Sequence, residues 1–245
     1  MSPKIIYEDK NFIAVNKPAG MLTHPINDKG EELTLVSFIT EKYPEIKNIG
    51  DPSTVSSGPN CSGQVALRPG IIHRLDRDTS GVILIARNQK YFEYLKNLFQ
   101  IHQIKKTYLA LVLGKLEPKQ GIIEKPISLK TGSVKRTVWE GKDAKPAVTE
   151  YKVKKYFSFD GQDYSLVEAF PKTGRTHQIR IHLASIGYPI IGDQLYGSKK
   201  LKNLFDLNRQ FLHAQSLEFI TEDGERIKIE ADPPDKLKRV VDTIS

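Results

Sequence analysis

The chain has 245 residues, 39% hydrophobic and 27% charged, the balance of a soluble globular protein with length enough for a sizeable core. No apolar run approaches the roughly 20 residues that cross a bilayer, and no signal-peptide core follows Met1, so neither a membrane span nor a secretory leader is expected. Cys61 is the only cysteine, which excludes an internal disulfide and a cysteine-built zinc site and makes a reducing cytoplasm the expected compartment.

The formal net charge is +8, and it is uneven: residues 101–150 hold ten Lys/Arg against five Asp/Glu. Clustered positive charge suits a polyanion, because neutralising phosphates releases condensed counterions. Charge alone does not separate RNA from DNA or from an anionic membrane.

In chain order, residues 12–16 read as a short strand, closed by the turn Lys17-Pro18-Ala19-Gly20. Residues 44–69 turn polar, with many Gly, Pro and Ser, and read as one long loop, of a length that is usually functional or disordered. The apolar run 81–86 predicts a buried central strand. Asn88 is placed to cap a helix whose Tyr91, Phe92, Leu95, Leu98 and Phe99 form a core stripe. Residues 107–113 predict a second buried strand ended by Gly114, and the Lys-, Gly- and Pro-rich stretch 115–148 predicts exposed hairpins. Strands at 151–157 and 164–170 pair around Asp160-Gly161.

Thr176 is the expected cap of a helix that packs Ile179, Leu183 and Ile186 inward and stops at Gly187, with His177, Arg180 and Ala184 on another face. Asp223-Gly224 marks a hairpin between 217–221 and 226–230. Pro233-Pro234 then precedes an amphipathic helix bearing Leu237, Val240, Val241 and Ile244, which is expected to pack with the hairpin on the core. Many strands, few helices and no steady βαβ alternation predict an α+β fold on a large, mostly antiparallel sheet.

The stretch most informative for chemistry is His73-Arg74-Leu75-Asp76-Arg77-Asp78-Thr79-Ser80-Gly81, between the long loop and the buried strand. Two arginines beside two aspartates can keep a carboxylate ionised and oriented. Asp76-x-Asp78-x-Ser80-Gly81 also matches the opening of a calcium-binding EF-hand, but Arg87 stands where the closing Glu belongs and a strand pattern follows. Alone, the stretch reads more readily as a tight turn in which Asp76 or Asp78 caps backbone amides and pairs with a neighbouring Arg than as a catalytic loop. His73 reads as a residue that hydrogen-bonds a turn. His177 and His182, five apart, read as polar packing rather than metal ligands.

The pattern does not stand alone. Residues 68–81, Arg68-Pro69-Gly70-Ile71-Ile72-His73-Arg74-Leu75-Asp76-Arg77-Asp78-Thr79-Ser80-Gly81, resemble the catalytic motif of the RluA-type family of RNA pseudouridine synthases. Asn16-Lys17-Pro18-Ala19-Gly20-Met21 resembles that family's opening turn, and Lys106-Thr107-Tyr108-Leu109-Ala110-Leu111-Val112 its second block. Gly174-Arg175-Thr176-His177-Gln178-Ile179-Arg180-Ile181-His182-Leu183 is similar to its third, followed by Gly187-Tyr188-Pro189, Gly192-Asp193 and Tyr196-Gly197. The similarity runs in order over residues 5–220.

The resemblance implies a single pseudouridine synthase domain over residues 1–245, a mixed sheet flanked by helices with a central RNA-binding cleft, and no cofactor or metal. It implies Asp76 as the essential aspartate, Tyr108 as the tyrosine packed on the base, and Arg180 as the cation paired with the aspartate. Arg74 matches an arginine associated with displacing the target base. Arg77, Lys106, Arg175 and His177 join it as expected RNA contacts. The implied partner is ribosomal or transfer RNA, acted on by a monomer.

Many such enzymes carry an S4-type RNA-binding domain before the core; here the opening turn begins by Asn16, so substrate choice is expected from the core, its loops and residues 115–145. Two other readings compete. A non-catalytic RNA-binding protein fits the charge but leaves the three blocks without a reason. A glycosidic-bond hydrolase needs a second carboxylate, for which Asp78 is the only nearby candidate.

Overall fold

The computed structural model describes residues 2–25, 33–51, 68–130, 135–139, 141–197 and 204–244. The chain divides into two compact units, Met1–Ile104 with Glu218–Ala231, and Lys105–Leu217 with Asp232–Ser245. The first unit opens with β1 (Lys4–Glu8), β2 (Phe12–Lys17), α1 (Leu35–Lys42) and a short 3-10 helix (Pro44–Asn48), then β3 (Ser80–Ala86) and α2 (Gln89–Gln100). The second has β4 (Lys105–Leu113), β5 (Gln120–Glu124), β6 (Ile127–Leu129), β7 (Arg136–Thr137) and β8 (Lys142–Lys145). It continues with β9 (Val148–Phe159), β10 (Gln162–Pro171) and α3 (Gln178–Ser185). β11 (Leu212–Ile220) runs from the second unit into the first, β12 (Arg226–Glu230) follows, and α4 (Asp235–Ile244) closes the second unit.

In the first unit, β1, β2 and β3 pair antiparallel in that order. All seven residues of β3 are buried, as its continuous apolar run requires. Asn88 caps α2, its side chain accepting from the Tyr91 amide, a cap whose loss costs about 1 kcal/mol. Tyr91, Phe92, Leu95 and Leu98 are buried, and the Tyr91 ring stacks on Phe12 at 5.5 Å. Burial on this scale stabilises by roughly 1.5–3 kcal/mol per large apolar side chain, an upper value because unfolded chains already bury some of it. One element runs against expectation. Residues 44–48 form a 3-10 helix rather than the start of a loop, and the rest of that proposed loop, 52–67, lies outside the described residues.

In the second unit the strand order is β11-β4-β10-β9-β5, and the β4–β10, β10–β9 and β9–β5 pairs are antiparallel. Asp160 and Gly161 both take positive φ, the geometry of a two-residue turn that matches strand twist, and β9 and β10 zip from it. Leu237, Val240 and Ile244 of α4 enter the same core as Leu111, Val153, Phe157 and Leu183. Residues 115–148, expected to form exposed hairpins, include a separate three-stranded antiparallel sheet, β7-β6-β8. The α+β class with a large, mostly antiparallel sheet is the architecture observed.

Candidate active site

The loop carrying Asp76 is built entirely within the first unit. Gly70 has φ +65, and a Cβ there would sit 2.5 Å from the Ala86 carbonyl, so only glycine lets this loop lie against β3. The Ala86 amide donates to the Gly70 carbonyl at 2.9 Å, and the Leu84 amide donates to His73 Nε2 at 2.9 Å. The His73 ring also stacks on Phe99 at 4.6 Å. His73 thus fastens the loop to β3 and α2, in keeping with its reading as a turn residue.

From there three successive carbonyls are held. Leu75 O accepts from the Thr23 hydroxyl at 3.2 Å, and Asp76 O accepts from the Thr79 amide at 3.1 Å. Arg77 O accepts from the Gly20 amide at 3.0 Å and from the Lys17 ammonium at 2.9 Å. Lys17 is fully buried, and its ammonium also donates to the carbonyls of Pro18 and Met21. The opening Asn-Lys-Pro-x-Gly turn is therefore a clamp on the Asp76 loop. Sequence reasoning quoted Lys17 but assigned it no task; a lysine beside a Pro-Gly turn shows nothing, by itself, of the carbonyls it will meet.

Asp76 is half-buried, while Arg74 and Arg77 are exposed. The Arg77 Nε donates to Gly20 O at 3.1 Å. No side-chain ion pair or hydrogen bond is found for Arg68 or Arg74 among the described residues, so a salt bridge from Arg74 to Asp78 is not made. Burial, together with the charges of Arg68 and Arg74, pushes His24 down to about 4, which keeps its ring neutral at pH 7. His24 Nδ1 is itself buried with no hydrogen-bond partner among the described residues. Burial and Arg74 likewise lower Arg68. The charges of Arg68 and Arg74 are felt by one another and by His24, so this part of the loop is electropositive. Residues 80–86 continue as strand, not as the exit helix a calcium loop needs.

The second unit holds the other candidates. Tyr108 lies on β4, opposite Ala169 of β10, and is half-buried. On the same strand Lys106 donates weakly, at 3.4 Å, to the carbonyls of Lys172 and Thr173. Burial and the Lys172 charge bring it down to about 8. A cation whose folded pKa falls below the ordinary 10.5 destabilises the fold in full below pH 8, and that cost fades as pH rises toward 10.5. The melting temperature should accordingly gain from this group between pH 8 and 10, and Lys106→Met should flatten the rise. An equally steep rise in that variant would remove Lys106 as its source.

Around α3 the structure departs from expectation. Thr176 is not the cap: His177 occupies the N-cap position in a left-handed conformation, φ 58, with no capping side-chain bond. Gln178 organises the loop instead, accepting from the Thr173 hydroxyl and the Arg175 amide and donating to Val148 O and Thr149 Oγ1. Ile179 and Leu183 pack into the core as expected, but Arg180, off that stripe, is not open to solvent. It is buried, and its Nε and Nη2 donate to Asp193 at 2.7 and 2.9 Å in a two-pronged ion pair. Burial would raise the Asp193 carboxyl, but the Arg180 bonds and charge, with the Tyr196 and Leu195 amides, outweigh it and hold the carboxyl below its ordinary range.

Tyr196 connects the remaining groups. The Arg180 guanidinium sits 5.3 Å from its ring, and its hydroxyl bonds His177 Nδ1 at 3.0 Å. Arg175 is exposed, its Nε donating to Pro146 O. His182 is fully buried between Thr149 Oγ1 and the Lys125 carbonyl, as packing rather than a ligand. Asp193 and Tyr196 were visible only as members of a quoted motif; pairing across 13 residues leaves no periodic trace.

A family model described as RNA pseudouridylate synthase matches residues 11–185, the span that holds the clamped loop, Tyr108 and α3. The chain belongs to this family. It is 41% identical over 204 residues to an RNA pseudouridine synthase of Chloroflexus aurantiacus, covering 82% of this chain and 56% of that protein. Against the RNA pseudouridine synthase YlyB of Bacillus subtilis it is 34% identical over 245 residues, 100% of this chain and 73% of the relative. The ribosomal large subunit pseudouridine synthase D of Borreliella burgdorferi is 37% identical over 194 residues, 79% of this chain and 54% of that protein. The chain thus spans little more than half the length of several of these relatives. In fold it is similar to the human RNA pseudouridylate synthase domain containing 1, with TM-score 0.73 and 24% identity, over 95% of this chain and 84% of that one. The RluA-type resemblance and the fold expected from it both stand.

Proposed function

We propose that the protein isomerises chosen uridines in structured RNA to pseudouridine, with Asp76 as nucleophile and without a cofactor. The observation that carries this reading is the Asp76 loop, whose three successive carbonyls are fastened inside the matched family region. Rigid placement is what a nucleophile needs to approach one sugar carbon. The Asp76 carboxylate attacks C1′ or initiates loss of the base; the C1′–N1 bond breaks, the uracil turns, and C5 bonds to C1′. C5 gives up its hydrogen as a proton, N1 takes one, and the mass is unchanged.

In this reading Tyr108 walls the detached base, and Arg180, oriented by Asp193, supports the Asp76 charge. Arg74, Arg77, Lys106, Arg175 and His177 contact the RNA, and both units serve one catalytic domain acting as a monomer in the cytoplasm. Ribosomal RNA is the favoured substrate over transfer RNA, because several relatives are named for the large ribosomal subunit. Mapping pseudouridines in total RNA from strains with and without the gene tests the whole proposal: a site lost from ribosomal RNA supports it, and an unchanged map overturns it.

Arg74 carries a sharper expectation. A uridine in a stem must leave the stack at a cost of a few kcal/mol, and an exposed guanidinium with no side-chain partner among the described residues can fill the gap by stacking. Arg74→Ala should slow reaction on a stem-loop at least about tenfold more than on an RNA whose target is already unpaired. Equal losses on both RNAs would reduce Arg74 to a backbone anchor.

A further inference from the structure

The small sheet of the second unit builds a cavity that the proposed chemistry does not use. About 230 Å³ in volume, it is lined by Lys130, Lys135, Arg136 and Trp139 on one side and by Ile181 and Tyr196 on the other. That is below the size of pockets that enclose a whole small ligand, and right for one flat ring. Its floor is apolar, since Ile181 packs with Ile127 and Ala147, and Val138 and Tyr196 lean on them.

Trp139 is the unusual member. It is 75% exposed, whereas a tryptophan is ordinarily well covered. Its backbone is nonetheless firmly held: the amide donates to Thr137 Oγ1 at 3.1 Å, and the carbonyl accepts from Ser128 Oγ at 3.2 Å. Gly141 permits this, because a Cβ there would come within 2.5 Å of the same Ser128 oxygen. The Lys125 ammonium lies 5.8 Å from the indole ring. A large aromatic face is thus presented to solvent on a fixed support with a cation beside it.

Arg136 supplies a second sign of an absent ligand. Its amide donates to the Tyr196 hydroxyl at 3.0 Å, but its Nε is buried with no hydrogen-bond partner among the described residues. Leaving such a donor unsatisfied is unfavourable, and an acceptor from a ligand would relieve it. An aromatic platform, clustered cations and a buried donor lacking an acceptor are the elements that hold a nucleobase of a single strand. A protein partner fits less well, because lysines are depleted at the centre of protein interfaces.

We propose that this cavity takes an unpaired nucleotide of the RNA other than the target uridine, its base stacked on Trp139 and an acceptor on Arg136 Nε. The proposal rests on the reading that the substrate is RNA, and it gives the basic stretch 115–145 a defined contact rather than a diffuse charge.

Trp139 is the chain's only tryptophan, so its emission reports on the cavity alone. Binding of a short oligouridylate to the full chain is measured by anisotropy of the labelled RNA, and quenching of Trp139 with the unlabelled RNA. Quenching should saturate with binding, while heparin, a polyanion without bases, should bind and leave the emission unchanged. Trp139→Ala should weaken oligouridylate roughly 5–150-fold, the range of one base stack, and Trp139→Phe should restore most of it. Binding with no quenching and wild-type affinity in Trp139→Ala would overturn the site while leaving RNA as substrate. Equal quenching by heparin would overturn base recognition. No binding of RNA by the wild-type chain would overturn the parent reading, and the site with it.

Discussion

Asp76→Asn is expected to abolish isomerisation while folding and RNA affinity stay near wild type. Asparagine keeps the shape of aspartate and loses only the charge and the nucleophile. The backbone around it does not depend on that side chain, because Thr23, Thr79, Gly20 and Lys17 hold the carbonyls of residues 75–77. Loss of a catalytic nucleophile costs on the order of 10⁴–10⁶-fold in rate where it has been measured in other enzymes. The variant should therefore bind a stem-loop RNA and return it unmodified. Turnover within about tenfold of wild type would remove Asp76 from the chemistry.

The second large effect is on stability. From the sequence alone, Arg180→Met is expected to cost activity far more than stability, since Arg180 is placed off the packing stripe. The structure adds a large stability cost to that expectation. Its guanidinium is the two-pronged partner of Asp193, and the carboxylate is fully buried. Removing one member of such a pair leaves the other charge uncompensated, at about 3–5 kcal/mol. For a chain of this size each kcal/mol is worth roughly 2–4 °C, so the melting temperature should fall by about 6–20 °C. The double variant Arg180→Met with Asp193→Asn should recover much of the loss, because the orphaned charge is gone while the amide oxygen still accepts from the Leu195 and Tyr196 amides. Calorimetry decides it: a single variant melting within about 2 °C of wild type would mean the pair contributes little.

What could be read from residues alone follows the range of the interaction. The buried run of β3, the Asn88 cap with its stripe on α2, and the Asp160-Gly161 and Asp223-Gly224 turns are local signals, and each corresponds to an element found. α1 was not anticipated. Thr34 and Ser37 cap it reciprocally, but serine stands where such a box ordinarily has Glu or Gln. The 3-10 helix at residues 44–48 begins at Pro44, which reads as easily as a loop.

At the site, the positions came from motif order and the physics came from tertiary contacts. Nothing near Lys17 in the chain marks it as a buried clamp on Arg77, sixty residues away. Nor does helix periodicity show that Arg180 turns inward to meet Asp193, since a buried arginine breaks the polar-outside rule on which periodicity relies. His177 takes the N-cap in a left-handed conformation because Gln178 and Thr173 tie down the preceding loop, a choice that propensity alone assigns to Thr176.

Release of tritium from C5-labelled uridine in a structured RNA probes the isomerase reading most directly, because only bonding of C5 to C1′ displaces that hydrogen. The wild-type chain, treated with EDTA in monovalent salt, should release tritium in step with formation of a carbon-linked nucleoside and yield no free uracil, while Asp76→Asn releases none. Free uracil would make the protein a hydrolase, and RNA bound without any release would make it a non-catalytic RNA-binding protein.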